Sequence, residues 1–379
     1  MPKFPTALRS LILAGTAVAS LAAPALEDIR VGQIVPSSYP TMADDARVAR
    51  GTLRACIDSI NARGGINGHK LVHVVRDDAF DGNKHAAAAR ELIEKDKVVA
   101  LLGAAGIVGP LTLIRQNVLN DAKVPLIGPI IGAEQLRNPV NPYVFHTRAS
   151  WTDEIRKIIE QIKSLGGQRV AILYQNDADG KAGLFVVKQL ARRNELEIVA
   201  EAGYDPRTND VSEAARKIID ASPHAVFLGG LEEAGGKLVK ALRAAGSPAQ
   251  MYAVSVVDAK RLYEIAGSAA RGTGIAQTMP YPYSARSPLV KDYQATVKKF
   301  APELPFNYLG METYLNCRVL AEGLKRAGPQ PTGEKLMQAL ETMQDFDLGG
   351  FKLNFSPDNR AGSRYVEITV MDGEGRLMR

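Results

Sequence analysis

The 379-residue chain is 46% hydrophobic and 23% charged with a net charge of +6, a length for two domains and a composition that excludes a disordered or fibrous protein. Its lysines and arginines interleave with acids, as in ARELIEKDKVV. They therefore read as solvated helix faces rather than the aromatic-laced basic stripe of a nucleic-acid binder.

The first 25 residues stand apart. MPKFPTALRS carries Lys3 and Arg9, LILAGTAVASLAA is apolar but too short to span a bilayer, and APA ends the run with small residues. This order predicts an export signal cleaved near Ala25 and a soluble periplasmic chain starting at Leu26. Losing Lys3 and Arg9 lowers its net charge by two, to +4. No cysteine follows the apolar stretch, which argues against a lipid anchor.

From Ile29 onward, short β-branched runs alternate with longer amphipathic segments. Strand IRVGQIV precedes helix DDARVARGTLRACIDSINAR, which stops at Gly64-Gly65; strand KLVHVVRDD, helix NKHAAAARELIEKD, strand VVALLG, helix LTLIRQNVLND and strand VPLIG follow. Such alternation predicts an α/β fold with a parallel sheet covered on both faces. The pattern restarts at SWTDEIRKIIEQIKSLGG, with a cap at Ser150 and a stop at Gly166-Gly167, and continues from RVAILYQ to GTGIAQTMP. Helices dominate from Pro288, and a β-rich end, GGFKLNF and RYVEITVM, closes the chain.

The glycine loop in LLGAAGIVGP resembles a dinucleotide cradle but fails its requirements. It ends the third strand of the mature chain, its spacing is G-x-x-G-x-x-G, and the next strand, VPLIGPIIG, ends without a carboxylate for a ribose. No nucleophile elbow, zinc-protease helix or P-loop appears, so neither an enzyme nor a cofactor is expected. In open α/β sheets, ligands sit beyond the carboxyl ends of strands. GAAGIVG and GPIIGAEQL occupy those ends in the first unit; QNDADGKAG, GGLEEAGG and VSVVDAK occupy them in the second. Two sheets with loop edges turned to a shared cleft would grip a small molecule between them.

Over nearly all of the mature chain, the sequence resembles the periplasmic solute-binding proteins of ABC transporters, in the leucine/isoleucine/valine-binding family. INARGGINGHKLVHVVRDDAFD, VPLIGPIIGAEQLRNPVNPYVFHTRASWTDE with its G-A-x-x-L-R-x-P run, VAILYQNDADGKAG, AVFLGGLEEAGGKLVKALRAAG, PYPYSARSPLVKDYQ and GGFKLNFSPDNRAGSRYVEITV carry the likeness in order. The resemblance implies two Rossmann-like lobes joined by three crossings, near Phe145–Ser150, Thr278–Ser284 and Gly350–Ser356. Lobe I would comprise residues 26–146 and 280–350, and lobe II residues 147–279 and 351–379. It also implies hinge closure on a small ligand and docking on a membrane permease. A ligand-sensing module of the same fold is the alternative, with a nicotinamide-dependent enzyme behind it.

Several positions depart from the amino-acid binders of that family. Ile107 stands where a hydroxyl residue holds the ligand carboxylate, and Ile131 and Gly132 replace a small or hydroxyl pair. Asp179 replaces a tyrosine over the ligand, Leu231 an aromatic beside Gly229-Gly230, and Ser255 the acid that pairs with the α-ammonium. The expected site is thus apolar, lined by Ile107, Ile130, Ile131, Trp151, Leu231 and Val256. Ser37, Ser150, Asp179 and Ser255 are its polar groups; Ser38, Gly106, Val108 and Gly132 complete the ligand-binding positions. Free N–H groups after Gly106 can hold an anion, so an apolar or aromatic organic acid, or an amino-acid-like compound, is the expected ligand class.

Other constellations are weaker. His69 and His73 fall on a strand with only His85 near, so solvent-facing positions are expected rather than a metal site. Of Asp77 and Asp78, one should face the cleft and the other cap the turn. Trp151 reads as a hydrophobic staple or as a stacking wall beside the first crossing; its position favours the wall. Cys56 and Cys317 lie in helical apolar patterns and are expected as buried free thiols, although an oxidising compartment permits their disulfide.

Overall fold

A computed structural model describes residues 1–2 and 26–379; the expected leader, Lys3 to Ala25, lies outside the described residues. The first unit runs β1 (Ile29–Val35), α1 (Ala43–Asn61), β2 (Leu71–Asp77), α2 (Gly82–Glu94), β3 (Leu101–Leu102), α3 (Val108–Arg115), α4 (Val118–Ala122), β4 (Leu126–Ile127) and β5 (Val144–Phe145). Its strands pair in parallel in the order β2-β1-β3-β4-β5. The single helix expected over residues 111–121 is two, because Asn117 adopts a left-handed conformation between them.

The second unit runs α5 (Trp151–Ser164), β6 (Arg169–Gln175), α6 (Ala178–Arg193), β7 (Glu197–Tyr204), α7 (Ser212–Ala221), β8 (Ala225–Gly229), α8 (Glu232–Ala244), β9 (Gln250–Ala253), α9 (Ala259–Ala266) and β10 (Gly274–Gln277). Helices α10 (Pro288–Phe300), α11 (Tyr308–Ala327) and α12 (Gly333–Glu341) follow. The chain ends through β11 (Phe346–Asp347), β12 (Lys352–Leu353), β13 (Glu367–Met371) and β14 (Leu377–Met378). The second sheet has the order β14-β13-β10-β9-β8-β6-β7, with β13 and β14 antiparallel. Strand alternation divides its faces: Ala171, Leu173, Val226 and Leu228 enter one core, and Val170, Ile172, Ala225 and Phe227 the other. The two lobes expected from the resemblance are thus present.

Helices α10–α12 return to the first sheet, where Tyr293, Met311, Leu315 and Leu336 join Val31, Leu53 and Phe145 in one core. That core corrects two expectations. Cys56 of α1 and Cys317 of α11 are bonded rather than free, with Cα atoms 6.5 Å apart. The third crossing also lies later than residues 350–356. Phe351, Leu353 and Phe355 stay buried against Phe145 in the first lobe, and the chain joins the second sheet at Glu367. Between them, the Gly362 N–H donates to the His146 carbonyl at 2.7 Å, and His146 N–H to the Arg360 carbonyl at 2.8 Å. The first and third crossings therefore run side by side.

The histidines are also placed differently. His69 is buried with Nδ1 2.6 Å from the Glu27 carbonyl, and His73, partly buried, has Nε2 3.1 Å from Gln33 Oε1. Burial, then Arg50 and Arg54, lower the His73 pKa to about 4. Neither is a solvent-facing strand residue. His85 lies on α2, 2.7 Å from Asp78.

Candidate functional site

The carboxyl ends of both sheets carry the expected loops, and the two loop sets meet near the first crossing. Gly106 closes the β3 loop at φ 72°, and a Cβ there would lie 2.9 Å from the Phe80 ring. Only glycine satisfies both conditions. Phe80 in turn packs against Tyr39, ring centroids 5.2 Å apart, and both rings remain exposed. Asp77 and Asp78 build this edge: Asp77 Oδ1 accepts the Ser38 and Ala79 N–H groups at 3.2 Å, and Asp78 Oδ1 accepts that of Phe80 at 3.0 Å. Both acids serve the turn. Those bonds to Ser38 and Ala79 favour the Asp77 carboxylate and hold its pKa low against the opposing effect of desolvation.

Ile107 precedes α3, whose first-turn N–H groups lack intrahelical acceptors. Ile107 and Ile131 are buried in one apolar cluster with Trp151 and Ile155 of α5, and Val256 packs against it. Trp151 is 9% exposed. Its N–H donates to the Gly132 carbonyl at 2.8 Å, while a Cβ on Gly132 would stand 2.6 Å from the indole. Trp151 therefore seats against glycine as a packed floor, and its indole Nε1 is buried without an acceptor. Ile130, partly buried, is held by its N–H on the Ala104 carbonyl.

Other expected residues fall outside this cluster. Val108 is 49% and Leu231 47% exposed, which puts them at the rim. Ser37 is partly buried and Ser38 exposed beside the Asp77 turn. Ser150 caps α5: its hydroxyl donates to Asp153 Oδ2 at 2.9 Å and accepts the Asp153 N–H at 3.2 Å. Asp179, in the first turn of α6, is partly buried; burial first, then Asp177, push its pKa up.

Beneath the loops lies a group that the sequence reading missed. Arg148, on the first crossing, is 1% exposed. Its guanidinium reaches Glu312 of α11 at 3.3 Å and Glu154 of α5 at 3.6 Å, and donates to the Ser255 hydroxyl. Glu154 Oε2 accepts the Ser255 N–H at 2.6 Å. One buried cation thus joins a first-lobe helix, the crossing and two second-lobe elements. Burial pushes the Glu154 and Glu312 carboxyls up, and Arg148 acts against that rise. The available signal was a lone arginine inside YVFHTRAS, ahead of the acids of WTDE. At the cleft rim, Asp45 near the start of α1 is raised to about 7, by burial first and then by Asp258, Glu232 and Asp44. Glu232 opens α8 and Asp258 caps α9, both in the second lobe.

Known proteins fit this geometry. The sequence profile described as periplasmic binding protein matches residues 28–376. The chain is similar to a substrate-binding periplasmic protein from Ralstonia solanacearum, 33% identical over 93% of this chain and 99% of that one, with a TM-score of 0.84. It is also similar to an extracellular ligand-binding receptor from Verminephrobacter eiseniae ef01-2, 31% identical over 93% and 100% of the chains, TM-score 0.86. A sequence relative, Leu/Ile/Val-binding protein homolog 3 of Brucella melitensis biotype 1, is 24% identical over 97% of each chain.

Proposed function

The chain belongs to the periplasmic binding protein family, and on that premise we propose that it is the non-catalytic solute-binding subunit of an ABC transporter. It is exported by cleavage near Ala25, closes its two lobes on one small ligand, and presents it to a membrane permease. The names of relatives such as the Brucella Leu/Ile/Val-binding homolog support a transporter of the branched-chain amino acid type.

The ligand is an organic acid with a sizeable apolar or aromatic part. One observation carries this choice. Ser255, which stands where the resemblance expects an acid for an α-ammonium, receives a hydrogen bond from the buried Arg148 guanidinium. A ligand ammonium would meet a neutral hydroxyl already bonded to a guanidinium there, and no carboxylate to pair with. Ile107, Ile131 and Trp151 supply the apolar floor, and the first-turn N–H groups of α3 suit a carboxylate. The Tyr39–Phe80 pair beside Gly106 offers an aromatic wall.

Calorimetry with leucine and with 4-methylpentanoate, which differ only by the α-amino group, tests the reading. The deaminated acid should bind at least about tenfold tighter, the effect of one unmatched buried polar group. Tighter binding of leucine overturns the ligand class. Mass spectrometry of small molecules retained through native purification then identifies the acid.

A further inference from the structure

A second pocket, of about 190 Å³, is walled by the two crossings that run side by side. It takes only Leu136 from the end of a cleft loop: Leu136 and Val144 form its apolar side, and Arg137, His146, Asp358 and Asn359 its polar side. Its volume lies below the roughly 300–1,000 Å³ of drug-sized sites. It is a place for a small ion.

Arg137 comes from the G-A-x-x-L-R-x-P run, which the cleft does not use. Its Nη2 donates to the Arg148 and Ala149 carbonyls at 3.1 and 3.3 Å, while its Nε is buried without a partner. Among the described residues no carboxylate lies within ion-pair distance of it; the nearby Glu134 instead accepts the Thr152 N–H at 3.1 Å. Burial, then the like charge of Arg148, lower its pKa to about 10, so the guanidinium keeps its charge. A largely buried cation without a direct ion-pair partner is costly, and Glu134, Asp153 and Glu154 act on this one only from a distance. The second cation in the wall, Arg360, already has Glu341.

His146 adds a requirement of the opposite kind. It is 1% exposed, and its Nε2 lies 3.2 Å from the Leu136 carbonyl, which can only accept. Nε2 therefore carries the proton, and Nδ1 presents a lone pair that is buried and unmatched. Burial, reinforced by Arg137, keeps the ring neutral. The pocket thus offers a charged donor and a neutral acceptor.

We propose that this pocket binds a small oxyanion that carries a hydroxyl, hydrogen phosphate being the simplest. The anionic oxygens pair with Arg137, and the hydroxyl donates to His146 Nδ1. Asp358, exposed at the mouth, opposes the anion and keeps affinity moderate. Because the lining includes His146 of the first crossing and residues 358–361 of the third, an occupied pocket ties the two crossing segments together beside the first lobe. The proposal stands independently of the cleft ligand.

The test is calorimetry and thermal unfolding of the exported chain in phosphate, sulfate or chloride at constant ionic strength. Phosphate should raise Tm saturably. Arg137→Gln should weaken phosphate binding by about tenfold or more, and sulfate, which has no hydroxyl at neutral pH, should bind the native chain more weakly than phosphate. Should Arg137→Gln fail to fold, Asp358→Asn still decides, because removing the opposing carboxylate should tighten phosphate binding by about threefold or more. A phosphate response that is non-saturable, or unchanged in Arg137→Gln, overturns the site. So does unchanged affinity in Asp358→Asn. Equal affinity for sulfate overturns the assignment of a hydroxyl-bearing anion.

Discussion

The two lobes bring opposite chemistry to the same cleft. The first lobe offers glycine turns, buried isoleucines and the exposed Tyr39–Phe80 pair. The second offers carboxylates spent on backbone donors. Asp177 accepts the Gly180 N–H at 2.8 Å, Asp258 that of Arg261 at 2.7 Å, and Glu232 that of Asp258 at 2.7 Å. An apolar jaw and an acidic jaw suit a ligand whose anionic end lies on the first lobe, away from the second. The contrast also shows why a glycine-rich loop alone misleads: the same turn chemistry serves any ligand that approaches a strand end, and the opposing edge selects among them.

The contrast breaks most severely where the lobes share one charge. Arg148→Met strands Glu154 and Glu312 without their cation and should cost about 3–5 kcal/mol of stability, read as a large fall in Tm. A variant within about 1 kcal/mol of the native chain would show that the two acids are protonated and self-sufficient. Next comes the first lobe alone. Replacing both Cys56 and Cys317 by serine opens a cross-link spanning 261 residues and should cost about 2–4 kcal/mol. The loss should fall on the first lobe, with hydrogen exchange in β6–β8 unchanged.

The acidic jaw is felt by Asp45 across the cleft, on α1 of the first lobe. The pKa of Asp45 is raised from 3.8 to about 7 with the lobes as they stand, so this arrangement holds a proton that an unfolded or opened chain releases. Its contribution is full below about 4, falls as pH rises to about 7, and is level above that. Solution scattering across this window should show the lobes opening with pH, and Asp45→Asn should flatten the response. A native profile that is already flat would place Asp45 in water. The smallest effect concerns Asp179. Its carboxylate faces the like charge of Asp177, so Asp179→Asn should tighten binding of an acid ligand by about two- to threefold. Weaker binding in calorimetry would mean that Asp179 receives a donor from the ligand.

Local pattern reached far into this fold. IRVGQIV and RVAILYQ are strands over the residues read from their β-branching, and Ser150 opens α5 through a capping box with Asp153. What escaped depended on partners remote in sequence. Phe351, Leu353 and Phe355 alternate like a strand of either lobe, and only the core around Phe145 settles where they pack. The Cys56–Cys317 bond required a Cα separation that no periodicity encodes. Helix α9 has no sequence reading of its own: only its first two residues, Ala259 and Lys260, fall in the strand-end segment VSVVDAK, whose turn residues hide its start. Of the site, Ile107, Ile131 and Trp151 were legible through loop position. Arg148 was not: Glu154 follows it on the next helix, but Ser255 and Glu312 lie 107 and 164 residues away.

The first lobe is split in sequence, and this gives the protein a definite order of assembly. A chain emerging from its N-terminus completes β1–β5 and α1 early, but α10–α12, which share one face of that sheet with α1, arrive only after β10. The second sheet has by then gathered its five parallel strands and lacks only β13 and β14. Val31, Leu53 and Phe145 therefore wait, only partly covered, through the making of more than a hundred further residues. Apolar surface left open for that long is what holding chaperones bind. The burden of avoiding aggregation during biogenesis therefore falls on the half of the molecule that begins first and finishes late.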